Sequence, residues 1–155
     1  LHKLSGNELE MVVRALTEKK NKKAAPYLLK IFQRRDELSE HNLWAVGNAL
    51  YTIDDKNLYS EILDLCRDKS LGNGRARLIG VLSRIRTEES FNILVESLSD
   101  QVVRGDVIEA LGRFGDPRAI PFLESLTLNK QEYEFKAKNT ALKRLKEKNG
   151  SQQRI

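Results

Sequence analysis

Val103-Arg104-Gly105-Asp106-Val107-Ile108-Glu109-Ala110-Leu111-Gly112-Arg113-Phe114-Gly115-Asp116-Pro117-Arg118-Ala119-Ile120-Pro121-Phe122-Leu123 reads as a helix, a turn and a second helix. Val103, Val107, Ile108, Leu111 and Phe114 fall at helical spacing. Gly115 is the residue type that takes the left-handed conformation ending a helix. Asp116 follows as a cap for the free N–H groups of the next helix, and Pro117 stands at its first position, where no N–H is needed. Ala119, Ile120, Leu123 and Leu126 give that second helix an apolar face. The stretch predicts two antiparallel helices joined by a very short turn.

Leu111 has counterparts at Leu16, Leu50, Leu82 and Leu142, at spacings of 34, 32, 29 and 31 residues. Five residues after the first four anchors stand Asn21, Asp55, Thr87 and Asp116, all helix-starting types. Twelve after them stand Leu28, Ile62, Leu94 and Leu123. The chain is therefore a repeat array, in which one helix pair cannot bury its apolar faces alone and neighbours must stack. Helices are expected at 6–20, 23–36, 40–52, 56–68, 74–86, 88–99, 101–114, 117–127 and 131–147. They group into repeats at about 6–37, 38–70, 71–100 and 101–129 with a capping helix over 130–148, all within one domain of 1–149, followed by a flexible tail over 150–155. The last helix resembles a first helix without its partner, through Phe135, Ala141, Leu142 and Leu145. Trp44 is expected to pack against the preceding helix pair.

The motifs Val103-Arg104, Ala110-Leu111-Gly112, Gly115-Asp116-Pro117 and Ala119-Ile120-Pro121 resemble the HEAT-like repeats of the phycobilisome-lyase type. The third repeat keeps Arg75, Leu82, Thr87 and Leu94 without the glycine-rich turn, and the first two match by periodicity. The resemblance implies an all-α fold, a right-handed α-α superhelix of about four helical hairpins plus the capping helix. It also implies that the second helices line a concave face where partners bind.

Composition narrows the function. Of the 155 residues, 32% are charged and 40% hydrophobic, which suits a soluble helical protein, and a cytoplasmic location is expected. No apolar run reaches the roughly 18 residues of a membrane helix. One cysteine, Cys66, excludes an internal disulfide and reads as a small buried hydrophobe. The net charge of +5 is uneven. Residues 1–37 carry net +4, residues 38–129 net −4 and residues 130–155 net +5, which is not the pattern of a uniform nucleic-acid groove.

Catalytic chemistry is scarce. His2 and His41 have no second metal ligand at useful spacing, and no phosphate loop, nucleophile elbow or cysteine pair is present. Asp54-Asp55 and Glu88-Glu89 fall at helix starts, where carboxylates complement the helix dipole. No catalytic residue, cofactor or metal is expected. Gly74, Arg75 and Arg77 form a candidate anion site, since free N–H groups at a helix start beside two arginines suit a phosphate or carboxylate.

The outward positions of the second helices are Lys23, Tyr27, Lys30 and Arg34 in the first repeat and Asn57, Glu61, Asp64 and Asp68 in the second. They are Glu89, Asn92, Glu96 and Asp100 in the third, and Arg118, Pro121 and Ser125 in the fourth. This stripe changes from basic to acidic and suits a protein partner of mixed charge. The leading expectation is a non-catalytic protein–protein interaction module. A second is a nucleic-acid-binding protein related to HEAT-like alkyl-base DNA glycosylases. It would use Lys19, Lys20, Lys22, Lys23, Arg34 and Arg35 with Lys136, Lys138, Lys143, Arg144, Lys146 and Lys148. A third is a subunit of a bilin lyase-type enzyme, which needs an apolar pocket that the sequence does not reveal.

Overall fold

Four residues after Leu50, Leu82 and Leu111 the backbone enters the left-handed region, with φ of 54° at Asp54, 55° at Arg86 and 75° at Gly115. In each case the N–H of that residue donates to the carbonyl of the anchor leucine, at 3.0, 3.4 and 3.1 Å. Only the third uses glycine. A left-handed residue with a side chain costs about 1–2 kcal/mol. At Asp54 the Tyr59 hydroxyl donates to the carboxylate at 3.0 Å. At Arg86 the guanidinium donates to the carbonyls of Ser83 at 3.3 Å and Arg113 at 3.4 Å. The same turn is thus held by glycine in one repeat and by side-chain hydrogen bonds in the others.

A computed structural model describes residues 6–18, 21–34 and 37–152. Its fold is all-α, with no strand among the described residues. The elements are α1 (Gly6–Leu16), α2 (Ala25–Gln33), α3 (Glu40–Ile53), α4 (Tyr59–Arg67), α5 (Ala76–Ile85), α6 (Glu88–Ser97), α7 (Arg104–Phe114), α8 (Ala119–Glu124) and α9 (Tyr133–Gln152). Short 3-10 segments at Lys56–Leu58 and Lys69–Arg75 lead into α4 and α5. The chain divides into two units, Leu1–Val81 and Leu82–Ile155, with the boundary inside α5.

In the first unit α3 is central, packing against α1, α2 and the Lys69–Arg75 segment. Ser39 starts it by accepting from Asn42 N–H at 3.2 Å. Leu43, Val46, Leu50 and Ile53 give it a buried stripe at helical spacing. A Cβ on Gly74 would lie 2.5 Å from that of Leu43, so the Lys69–Arg75 backbone is packed against the helix. Asp55 starts the 3-10 turn before α4 by accepting from Asn57 N–H at 3.2 Å, as the repeat pattern predicts. Asn21 departs from that pattern. Its amide donates back to the Leu16 carbonyl at 3.2 Å, closing α1, and α2 begins without a side-chain cap. Asn differs from Asp in carrying a donor as well as an acceptor.

In the second unit α6 and α9 each pack on α7, and α8 packs on α9. Thr87 and Ser90 form a reciprocal capping box at the start of α6. Asp116 accepts from Arg118 N–H at 2.9 Å ahead of α8. The apolar stripe of α9 is Ala137, Ala141 and Leu145, all buried, while Phe135 and Leu142 are half-buried. Of the four residues expected on this face, Ala141 and Leu145 are buried, and Phe135 and the anchor Leu142 are not. Ala141 takes the inner position because it faces Gly112, where a Cβ would lie only 2.8 Å from that of Ala141. The helix also runs on through Gly150 to Gln152, where a tail from residue 150 is expected from the sequence. A lone glycine costs a helix about 1 kcal/mol, and no proline follows to stop it. Residues 153–155 lie outside the described residues.

Candidate functional site

Arg118, one of the residues expected to bind a partner, has a dense polar environment. Its guanidinium donates to both carboxylate oxygens of Glu88, at 3.0 and 2.9 Å. It reaches both oxygens of Asp116 as well and lies 4.5 Å from the centroid of the Phe91 ring. The Arg118 hydrogen bonds hold the carboxyls of Glu88 and Asp116 below their ordinary range, and the two carboxylates raise Arg118 in turn. Any partner at Arg118 competes with two internal carboxylates. The acid pair Glu88-Glu89 is thus more than a dipole complement, since Glu88 ties the start of α6 to the turn before α8.

This clamp is expected to fail in acid. Both carboxyl values are depressed by folding, so the stabilisation is fully present above the unfolded values near pH 4 and is lost as pH falls through the folded ones. The melting-temperature gap between wild type and Arg118→Ala should be constant from about pH 7 to 5 and narrow progressively as pH falls below about 4. A gap unchanged at the acid end would contradict the assignment.

Gly74, Arg75 and Arg77 do not share a surface. Gly74 is buried against Leu43. Arg75 is only 1% exposed and donates from Nη1 to the Cys66 carbonyl at 2.8 Å, at the end of α4. The anion-site reading thereby loses one of its two arginines. Arg77 is half-buried, donating from Nε to Asn48 Oδ1 at 3.0 Å with its guanidinium 4.7 Å from the Tyr51 ring and 5.7 Å from the Trp44 ring. Trp44 is 38% exposed, and its ring meets Arg77 of the following repeat rather than serving only the preceding helix pair. An arginine seven residues before the anchor is the signal that ranks Arg75 as structural, since Arg104 stands at the matching place and pairs with Glu134 at 3.2 Å.

The second-helix positions are mostly at the surface. Lys23, Tyr27 and Lys30 are exposed on and just before α2, and Arg34 is half-buried in an ion pair with Glu37. Tyr27 and Lys23 line an open cleft of about 280 Å³ with Leu16, Asn21 and Ala24. Asn57, Glu61 and Asp64 are exposed, with Asp64 paired to Arg67 at 3.3 Å. Asp68 instead caps the Lys69–Arg75 segment, accepting from Ser70 N–H at 3.0 Å. In the second unit Glu89, Asn92 and Glu96 are exposed.

A further cleft, of about 300 Å³, opens between α7 and α9. Tyr133 and Arg113 both donate to the carboxylate of Glu109 there. Burial pushes Glu109 up, but the bonds from Tyr133 and Arg113 and the charges of Arg113 and Arg144 outweigh it and hold the carboxyl below its ordinary range. Burial and the bond to Glu109 push the Tyr133 hydroxyl up to about 12. Near neutrality Glu109 is therefore charged and Tyr133 is a donor. Repeat alignment does not find this cleft, because Tyr133 lies before the last anchor and outside the repeated turn.

His41 is exposed and lies 3.2 Å from Glu10, and no group of three or more His, Cys, Asp or Glu residues suited to a metal occurs among the described residues. No helix among them is long and apolar enough to cross a membrane. His2, Lys19, Lys20 and Arg35 lie outside the described residues.

The family model of HEAT repeats matches residues 59–143, more than half of the 155-residue chain, and the chain belongs to the HEAT-repeat family. No curated protein matches it, and no solved structure does. HEAT repeats commonly mediate protein–protein interaction, and their all-helical fold is typically non-catalytic.

Proposed function

We propose that the chain is a non-catalytic, cytoplasmic interaction module that binds a protein partner through the exposed faces of its second helices. We infer the phycobilisome-lyase subtype from the Ala110-Leu111-Gly112 and Gly115-Asp116-Pro117 motifs of the fourth repeat, which support that reading. Tyr27 is the observation that carries the reading: it is 59% exposed, stands between Lys23 and Lys30 at helical spacing, and borders an open cleft. An exposed aromatic residue flanked by charges is the kind of side chain that dominates protein interfaces. Glu61 and Asp64 supply the acidic part in the same unit, and Glu89, Asn92 and Glu96 do so in the other. A single helical domain over 1–149 completes the reading.

Nucleic-acid binding is the weaker reading. Lys138 donates to the carbonyls of Glu124 and Leu126, and Lys146 pairs with Glu124 at 2.7 Å, so part of the basic C-terminal helix is committed within its own unit. The test is affinity capture from the native lysate with wild-type chain, Tyr27→Ala and Lys30→Glu. Loss of one specific captured protein in the two variants is expected. An identical capture profile for all three would sink the proposal.

A further inference from the structure

The six basic residues of α9 from Lys136 to Lys148 are not equivalent. Lys138 closes the end of α8 through its carbonyls, Lys146 pairs with Glu124, and Lys143 lies 3.9 Å from Glu147. Lys136 and Arg144 make no ion pair or side-chain hydrogen bond among the described residues. They stand eight positions apart with Thr140 between them, a spacing that sets all three along one stripe of the helix. That stripe is a wall of the α7–α9 cleft. Arg113 joins it from α7, four residues after Glu109.

We propose that this cleft receives a carboxylate side chain from an acidic segment of a protein partner, held by Arg113, Lys136 and Arg144. Three cations face one carboxylate there, and that carboxylate already accepts from Tyr133 and Arg113. The cleft therefore keeps an excess of positive charge. Its volume of about 300 Å³ is at the lower limit for ligand pockets, which suits one or two side chains. Thr140 offers a hydroxyl beside the cations, and Ala137 and Ala141 give an apolar surface for the methylenes of a glutamate. A nucleic-acid backbone presents closely spaced phosphates and is matched by a row of cations. Here the neighbouring lysines of the row are engaged elsewhere, and the available charge lines a single cleft.

The inference rests on the protein-binding reading but names a surface of the second unit, whereas Tyr27 belongs to the first. It is tested by fluorescence anisotropy with a labelled oligoglutamate peptide at about 50 mM salt, where screening is modest. Binding is expected to weaken about tenfold or more in Lys136→Glu and in Arg144→Glu. Lys143→Glu makes the same change of charge beside the cleft without lining it, and should stay within about twofold of wild type. All three positions lie on exposed helix surface, and unchanged circular dichroism confirms that each variant is folded. Absence of peptide binding, an equal loss in Lys143→Glu, or tighter binding of a labelled single-stranded DNA with the same variant pattern would each overturn the proposal. Capture of the native partner separates the two readings. If it fails with Tyr27→Ala and survives Arg144→Glu, the cleft proposal alone falls. If it survives Tyr27→Ala and fails with Arg144→Glu, the cleft stands and the Tyr27 surface does not.

Discussion

Gly112→Ala is expected to destabilise the protein by about 1–3 kcal/mol, the usual cost of overpacking a close helix contact. Helix propensity alone points the other way, because alanine is favoured over glycine by about 1 kcal/mol in a helix interior. The packing decides the sign. The added methyl would lie 2.8 Å from the Cβ and 2.9 Å from the Cα of Ala141. The second of these atoms is backbone, so no rotamer change relieves the clash, and α7 and α9 must move apart. That separation also disturbs the pair Arg104–Glu134 and the bond from Tyr133 to Glu109. The contact is isolated by a double-mutant cycle with Ala141→Gly, which removes the opposing methyl. Urea unfolding of the four proteins should show a favourable coupling of about 1–2 kcal/mol, so that Ala141→Gly costs less on the Gly112→Ala background than on wild type. A neutral or stabilising Gly112→Ala would mean that the helices do not approach this closely.

Gly112 shows what the sequence contains without making it readable. The Ala110-Leu111-Gly112 motif is visible in the chain, but a motif gives a residue and not its neighbour. The neighbour is Ala141, which a strict anchor alignment assigns to the position beside the anchor Leu142. The buried stripe of α9 follows the small residues because only a small residue fits against a glycine. The turns behave similarly. Leu50, Leu82 and Leu111 are buried, and their periodicity locates three left-handed turns. Glycine alone identifies only one of them. Asp54 and Arg86 take the same backbone because hydrogen bonds from or to their side chains offset the strain, and such partners lie three to twenty-seven residues away.

Candidate sites were legible to a lesser degree, for a related reason. Periodicity separates outward from inward positions, and Lys23, Tyr27, Lys30, Glu61, Asn92 and Glu96 are indeed exposed. It does not say whether an outward charge is already engaged. Arg118 stands seven residues after its anchor, as Lys23 does, yet Arg118 holds two carboxylates within its own unit. Arg75 is set apart from Arg77 only by its match to Arg104, and the alignment does not say that one is buried and the other borders the surface. Engagement is a property of three-dimensional neighbours, and the α7–α9 cleft draws its residues from positions 109 to 144 with no repeated motif to mark them.

Arg75→Ala is expected to be among the most damaging single changes in the first unit, at about 3–5 kcal/mol. The side chain is almost fully buried, so truncation opens a void the length of an arginine and leaves the Cys66 carbonyl without its 2.8 Å donor. Arg75→Met separates the two contributions. Methionine fills most of the stem volume but cannot donate, so its cost should be about 1–2 kcal/mol, that of a buried carbonyl left unsatisfied. Cys66 supplies a local readout. Burial pushes its thiol up to about 12, with the Arg75 and Arg67 charges pulling in the opposite direction, so the native thiol is both covered and protonated. Removing the Arg75 charge raises the thiol further, which by itself slows alkylation. Faster labelling in Arg75→Ala therefore reports opening of the structure around α4 and not a more reactive sulfur. A loss of about 3 kcal/mol corresponds to an opening population roughly a hundredfold larger, and labelling under native conditions should accelerate by that factor. Arg75→Met should accelerate it about tenfold. If Arg75→Ala melts within a degree or two of wild type and its thiol stays equally protected, the arginine does not hold the end of α4 in the way its geometry indicates.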